Sequence, residues 1–296
     1  MLCLKQTKLR NWHQVIVKEL LKLGKDQLSS KNIAPVEAEL LLAHVLGVNR
    51  MELHGRIIEL SGDEEIETRE LFNQVLAERL TGKPTQYIVA SAPFRYLEYE
   101  VGPGVLIPRP ETESLVDEVL HQLHTFADPV SLIDLGSGSG AIAISIASET
   151  AGKKVVNVIA VEKSEAAIKW LEKNIAKHDV SVRVVQGDVA NALKGIKCDV
   201  VIANPPYLPD GAQIPEELNF EPSVALFGGP INGMSAPAIF ITAAVRLLKP
   251  GGLLAIEHNE LQGPLIAAEL APDFESIACH RDLTDRPRFT TARRRI

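Results

Sequence analysis

Ser131-Leu132-Ile133-Asp134-Leu135-Gly136-Ser137-Gly138-Ser139-Gly140-Ala141-Ile142-Ala143-Ile144 is the stretch that decides the fold. Ser131–Leu135 reads as a buried strand, and the Ala/Ile-rich run after Gly140 reads as a helix. Between them the glycines let the backbone turn sharply and approach a ligand with no side chain intervening. The start of the helix offers unpaired N–H groups to a negatively charged ligand group. The spacing is GxGxG rather than the GxGxxG that cradles a dinucleotide pyrophosphate. A glycine-rich turn alone is a weak signal, because a tight turn needs the same residues.

Working outward, strand and helix alternate from about residue 108. Further strands are expected at Asn157–Val161, Val182–Gln186, Asp199–Ala203 and Gly252–Glu257, with a helix after each of the first four strands. Phe274–Arg281 and Phe289–Arg295 read as two more strands joined by a turn. Such alternation predicts a mostly parallel sheet covered on both faces. Its antiparallel closing pair is what the sheet of a class I methyltransferase requires.

Two acids strengthen the reading of the glycine turn. Glu162 ends the second strand, where a carboxylate can accept from both hydroxyls of a ribose. Asp188 ends the third, placed to accept from an adenine amino group. Either alone could be a helix cap or a solvated acid. Three features closing successive strands in chain order point instead to one ligand at the switch point of the sheet. S-Adenosylmethionine fits: it has no pyrophosphate, and its amino-acid carboxylate is the anion for Gly136, Ser137, Gly138, Ser139 and Gly140, with Asp134 at the strand end.

The fourth strand runs into Asn204-Pro205-Pro206-Tyr207. Two prolines after a buried strand fix the backbone and remove two N–H donors. The Pro205 carbonyl and the Asn204 side-chain oxygen are then two acceptors, and Tyr207 adds a flat aromatic surface. That set suits a planar NH2 group on an sp2 carbon, a poor nucleophile that needs alignment more than deprotonation. No His, Glu or Lys motif beside the loop suggests a general base.

The first 82 residues differ in texture. Trp12, Val15, Ile16, Glu19, Leu20 and Leu23 put most apolar side chains on one face; Pro35 to Leu46 reads as a helix stopped by Gly47. A third segment covers Met51 to Leu60, and a fourth starts with Asp63, Glu64 and Glu65, acids suited to the positive end of a helix. This predicts a run of short helices at 1–82. Tyr87-Ile88-Val89 and Phe94–Val101 read as short strands in a hairpin linker at 83–107, and 108–296 is the expected catalytic domain.

Composition narrows the classes. With 296 residues, 46% hydrophobic and 23% charged, two ordinary globular domains can form without disulfides. The net charge of −7 argues against broad adhesion to nucleic acid or an anionic membrane. Arg293-Arg294-Arg295 is read as a strand end or solvated tail. Cys3, Cys198 and Cys279 are scattered, with no CxxC pair, so no metal site is expected and a reducing cytoplasm fits. Neither a secretory signal nor a membrane span is expected. His121 and His124 are read as solvated, Trp12 and Trp170 as packing residues.

The chain resembles the HemK/PrmC family, the release factor glutamine methyltransferases, over nearly its whole length. The resemblance rests on residues 37–47, Gln86-Tyr87-Ile88, Leu106–Glu113, the glycine loop, Asn204–Tyr207, Glu221-Pro222 with Ala225-Leu226, Arg281-Asp282-Leu283, and Arg286-Pro287-Arg288. It implies a class I, Rossmann-like domain with a seven-stranded, mostly parallel sheet, joined by a β-hairpin to a small helical domain that grips the protein substrate. It also implies transfer of a methyl group from S-adenosyl-L-methionine, leaving S-adenosyl-L-homocysteine. The acceptor would be the glutamine nitrogen of the Gly-Gly-Gln motif of class 1 peptide chain release factors. Asn204, Pro205, Pro206 and Tyr207 would hold that glutamine, and Asn204 would also border the cofactor.

Several positions depart from the family. Ser137 stands where threonine is commoner, Glu162 where aspartate is, and Val189, which would cover the adenine, where some members carry an aromatic. Glu257-His258-Asn259 replaces the usual Glu-Ile-Gly, with Gln262 retained. Arg109 and Glu111 belong either to a lid over the cofactor's methionine end or to a plain helix start. Two other functions stay open on sequence: an N6-adenine methyltransferase acting on DNA or RNA, since that amino group is also planar, and a non-catalytic S-adenosylmethionine-binding scaffold.

Overall fold

The computed structural model describes residues 2–55 and 60–296, with side chains described from Ile16 onward. The expectations for the side chains of Cys3, Trp12 and Val15, and those for positions 56–59, fall outside what is described. Two compact units form: one holds the described residues up to Ala90 together with Glu216–Phe220, the other Ser91–Pro215 with Glu221–Ile296. The hairpin expected as a linker therefore folds within the second unit, and a short piece expected in the catalytic domain folds within the first.

The first unit contains α1 (Leu2–Ser30), α2 (Glu37–Leu46), α3 (Glu52–Gly55), α4 (Gly62–Leu80) and α5 (Thr85–Val89). The expected run of short helices is corrected at its start, because α1 is one helix of 29 residues. No proline interrupts it, and Ile16, Leu20 and Leu28 recur on a helical period and are buried. Leu23, expected on that face, is exposed. The hydroxyl of Ser61 and the carboxylate of Glu64 form a reciprocal capping box that starts α4. Leu41, Leu42, Phe72 and Leu76 join α1 in the core.

Tyr87-Ile88-Val89, expected as a strand, is helical instead. The carbonyl of Pro84 accepts from both Tyr87 N–H and Ile88 N–H, and Ile88 and Val89 pack on the helical core. Burial outweighs the strand preference of these residues.

The second unit begins with a hairpin of β1 (Ser91–Phe94) and β2 (Leu97–Glu100), paired Phe94 to Leu97 around a two-residue turn. There follow a 3-10 turn (Pro110–Thr112), α6 (Glu113–Leu123), β3 (Val130–Leu135), α7 (Ala141–Thr150), β4 (Val156–Glu162), α8 (Glu165–His178), β5 (Val182–Gln186) and β6 (Cys198–Ala203). The chain then makes β7 (Leu208–Pro209), α9 (Ser223–Leu226) and β8 (Phe227–Gly229) before α10 (Ser235–Leu247), β9 (Leu248–Glu257), α11 (Gly263–Leu270), β10 (Phe274–Arg281) and β11 (Pro287–Arg294). The main sheet has seven strands in the order β10-β11-β9-β6-β3-β4-β5. The five from β5 to β9 run parallel, and β11 is antiparallel to both its neighbours. The helix expected after β5 is replaced by turns, since only residues 187–197 separate β5 from β6 and Gly187 and Gly195 interrupt them.

Both faces of this sheet are covered, so its central strands are apolar throughout. Ile133, Leu135, Val161, Val201, Ala203, Leu254 and Ile256 pack with Phe240, Ile241 and Leu247 of α10 and Ile266 and Leu270 of α11. The alternate residues, among them Leu132, Asp134, Val200 and Ile202, point to the opposite face and are equally buried. Arg293 closes β11 with its guanidinium donating to Gln122 and lying 4.9 Å over the Phe126 ring, so the basic run is a strand end. Trp170 packs against Gly102 and donates to the Pro103 carbonyl. His121 and His124 are exposed, and no cluster of metal-binding type is found among the described residues. No helix among them is long and apolar enough to cross a membrane.

Candidate active site

The crossovers from β3 lead outward through β4 and β5, and the chain then returns to β6 on the other side of β3. A crevice therefore opens beyond the carboxyl ends of β3 and β6, at the switch point where ligands of such sheets sit. Glycine-loop residues Gly136–Ser139 line it, together with Glu162, Asp188, Val189, Asn204 and Pro206. The amides of Gly136 and Ser137 donate back to the Val161 carbonyl, which pins the loop to β4. Gly138 has φ +55, and a methyl built on it would meet nothing nearer than Val105 at 3.9 Å, so open space lies above it. Gly140, at φ +85, is different: a methyl there would collide with Leu171 and lie 2.7 Å from Ile144. Gly138 leaves room for a ligand; Gly140 lets α7 and α8 pack.

Glu162 is braced by the backbone. Its Oε2 accepts from Gly138 N–H at 3.0 Å, and its Oε1 from the N–H groups of Lys163 and Ser164 at 2.8 Å each. A carboxylate has about four acceptor positions. Three are taken, which leaves about one lone-pair position facing the crevice. Asp188 lies two residues beyond the end of β5, accepts from Ala190 N–H at 3.0 Å, has the Lys163 ammonium 4.0 Å from its Oδ2, and lines the crevice. Val189 is buried beside it.

Asp134 does not line the crevice. It is fully buried beneath the loop, and neither carboxylate oxygen has a hydrogen-bond partner. Burial pushes its pKa up to about 7. Sealed there, Asp134 supports the loop from below and does not meet a ligand, which corrects its expected place in the cofactor site. The open glycine loop and the carboxylates of Glu162 and Asp188 that line the crevice still fit the amino-acid end, ribose and adenine of S-adenosylmethionine.

At the end of β6 the side-chain nitrogen of Asn204 donates to the Thr112 hydroxyl at 3.2 Å. With its nitrogen so engaged, its Oδ1 has no hydrogen-bond donor among the described residues. Pro206 lines the crevice, whereas Pro205 is buried and Tyr207 turns away from it. The Tyr207 hydroxyl donates to Glu257 at 3.3 Å, and its carbonyl accepts from the Gln262 side chain at 3.0 Å. Glu257 is wholly buried, which raises its pKa to about 7. Burial likewise pushes the Tyr207 phenol well above its ordinary value.

Sequence reasoning did not place Thr112, Glu221, Glu257 or Gln262 in the site. Glu221 accepts from Ile107 N–H at 2.9 Å and pairs with Arg109, which straps the Ile107–Thr112 segment along the crevice. Arg109 thus lines the site. Glu257 offered the same signal as Glu162, an acid closing a parallel strand at the switch-point end. Thr112 offered none, because its partner is 92 positions away.

The sheet order, the braced acid and the acceptor loop define a class I S-adenosylmethionine-dependent methyltransferase. The T. thermophilus 16S rRNA N2 G1207 methyltransferase, solved with AdoMet and guanosine, shares the fold with a TM-score of 0.51 and 22% identity; the match covers 69% of this chain and 50% of that one. Residues 19–89 match the PrmC N-terminal domain, and residues 114–218 match the methyltransferase small domain. The Mycolicibacterium smegmatis release factor glutamine methyltransferase is 40% identical over 88% of this chain and 90% of its own length. The Bifidobacterium longum protein of the same name is 36% identical over 94% and 99% respectively. The chain belongs to the family of release factor glutamine methyltransferases.

Proposed function

We propose that this protein transfers a methyl group from S-adenosyl-L-methionine to the side-chain nitrogen of the glutamine in the Gly-Gly-Gln motif of peptide chain release factors. The observation that carries the reading is the orientation of Asn204, whose nitrogen is held by Thr112 so that Oδ1 is free beside the crevice. An oxygen there accepts one N–H of the substrate amide. The Pro205 carbonyl is the second acceptor, on a backbone that two prolines stiffen and Gln262 anchors. Two acceptors orient the amide nitrogen and stabilise the positive charge it gains on methylation.

When bound, S-adenosylmethionine supplies an electrophilic methyl carbon on sulfonium sulfur. The chain's own part is placement. Glycine-loop amides serve the amino-acid end, Glu162 the ribose, and Asp188 and Val189 the adenine. Tyr207, turned from the crevice onto Glu257, braces the acceptor loop from behind. The helical unit, by this reading, grips the release factor, and the work belongs in the cytoplasm, where translation terminates. The preference of the relatives for a protein glutamine argues against the N6-adenine alternative, and the intact acceptor loop argues against a silent scaffold.

The test is methyl transfer from labelled cofactor to a release factor, to its Gln→Ala loop variant, and to DNA and RNA in separate reactions. Label on the unaltered release factor alone is expected. Label on nucleic acid alone, or on the Gln→Ala variant to the same extent, overturns the assignment.

A further inference from the structure

Behind the acceptor loop, main chain packs directly on main chain. Phe227-Gly228-Gly229-Pro230-Ile231-Asn232-Gly233 leads from β8 toward α10 and lies against Pro206 and Tyr207. A methyl built on Gly228 would collide with the Gly233 carbonyl and stand 2.5 Å from the Pro206 carbonyl oxygen and 2.9 Å from Tyr207 Cα. One built on Gly233, at φ +69, would collide with the Tyr207 carbonyl oxygen and stand 2.7 Å from its carbon. The obstacles are backbone atoms, so no side-chain rotation relieves them, and a larger residue must displace the acceptor loop or the segment itself.

Gln262, at the start of α11, ties the same two segments together. Its Nε2 donates to the Tyr207 carbonyl at 3.0 Å and to the Asn232 carbonyl, and its Oε1 accepts from Asn259 N–H at 2.9 Å. Two carbonyls can only accept and an N–H can only donate, so these partners fix which way the Gln262 amide points. The side chain is buried, so a carbonyl that loses its donor there does not regain one from bulk water.

We propose that Gly228, Gly233 and Gln262 are positioning residues for methyl transfer, which clamp the Pro206–Tyr207 backbone and so aim the Pro205 carbonyl at the substrate amide. The proposal rests on the reading of Asn204 and Pro205 given above. Within the loop, the Tyr207 carbonyl is bonded to Gln262 and the Pro206 carbonyl oxygen abuts Gly228, whereas the Pro205 carbonyl takes no hydrogen bond among the described residues. Proline rings lock φ at both 205 and 206, and a residue before proline is restricted in ψ. Pro205-Pro206 is therefore a stiff unit. A displacement imposed at Pro206–Tyr207 passes on to the Pro205 carbonyl instead of being absorbed by soft torsions. The clamp touches neither the glycine loop nor Glu162, so its effect falls on alignment of the acceptor and not on cofactor binding.

The experiment measures kcat and KM for release factor methylation, and S-adenosylmethionine affinity by isothermal titration, in Gly233→Ala, Gln262→Met, Gln262→Glu and Gly211→Ala beside the wild type. Gln262→Met keeps the length of the side chain but removes the donors; Gln262→Glu sets a carboxylate oxygen against two carbonyls. Gly211, at φ +78, has nothing within 4 Å of an added methyl, so Gly211→Ala carries similar backbone strain with no neighbour to push. Gly233→Ala and Gln262→Glu are expected to lose about 10²-fold in kcat, as for a reacting group misplaced by roughly 1 Å, and Gln262→Met about tenfold. KM for the release factor and cofactor affinity stay within about threefold in all of them, and Gly211→Ala keeps kcat within about twofold. Wild-type kcat in Gly233→Ala or in Gln262→Glu overturns the proposal. So does cofactor affinity falling in step with kcat, or Gly211→Ala losing as much as Gly233→Ala, since either result marks a general structural effect. If Gly233→Ala does not fold, the ranking of the two Gln262 variants below the wild type, with cofactor affinity retained, decides. A wild-type enzyme that leaves the release factor unlabelled defeats the functional reading itself, a result separate from all of these.

Discussion

Gly138 and Glu162 are bonded to each other across the first two strands of the sheet, the glycine N–H donating to the carboxylate at 3.0 Å. The bond joins the loop proposed to receive the amino-acid end of the cofactor to the acid proposed to receive its ribose. One carboxylate therefore shapes the loop and also lines the crevice.

Replacing Glu162 by alanine is expected to weaken S-adenosylmethionine binding by about 10- to 100-fold, the worth of a hydrogen bond to a charged group. Isothermal titration of the purified variant measures this. Wild-type affinity in Glu162→Ala would remove the acid from the cofactor site.

Asn204→Ala removes an acceptor used as charge develops on the substrate nitrogen. A loss of about 10²- to 10³-fold in kcat is expected, as for other single charge-stabilising contacts, with cofactor affinity little changed. Turnover near that of the wild type on the release factor would show that Asn204 does not act as assigned.

Gly140→Ala should destabilise the fold without touching the chemistry. The new methyl meets Leu171 and Ile144, and the residue sits at φ +85, outside the comfortable range of an L side chain. Overpacking and backbone strain together cost about 2–4 kcal/mol. Urea unfolding of the variant, followed by circular dichroism, reads the difference; a midpoint equal to that of the wild type would contradict the packing described.

Asp282 predicts an acid limb in stability. Its side chain is buried, which alone would raise its pKa, but bonds from Thr284, Arg288 and Arg286 outweigh burial and hold it at about 2. A carboxylate depressed in the folded state stabilises fully above its unfolded pKa, about 4. That contribution fades as pH falls from about 4 toward 2. Chemical denaturation between pH 5 and pH 2 should show this loss in the wild type and a shallower one in Asp282→Asn. Identical slopes would mean that Asp282 carries no such linkage.

Local chemistry made much of the catalytic unit legible. Each central strand is a short apolar run bounded by glycine, proline or an acid, so β3, β4, β5 and β6 fall within a residue or two of where periodicity puts them. The antiparallel pair of β10 and β11 was readable for the same reason. Where local preference and packing disagreed, packing won: Tyr87-Ile88-Val89 is helical because a helical core buries it. The turns after β5 are a matter of chain length, which periodicity does not sense.

By itself, the sequence determined the parallel sheet, the glycine turn, the two strand-end acids Glu162 and Asp188, and the acceptor loop at Asn204. These depend on residue spacing and on which backbone groups proline and glycine leave free. Tertiary structure alone decided what those groups can still do: that Glu162 has spent most of its acceptor capacity on backbone, that Asp134 is sealed beneath the loop, and that Thr112 holds the Asn204 side chain. The reason is physical. A hydrogen bond has a direction and a burial has a depth, and both are set by partners that folding brings from distant parts of the chain.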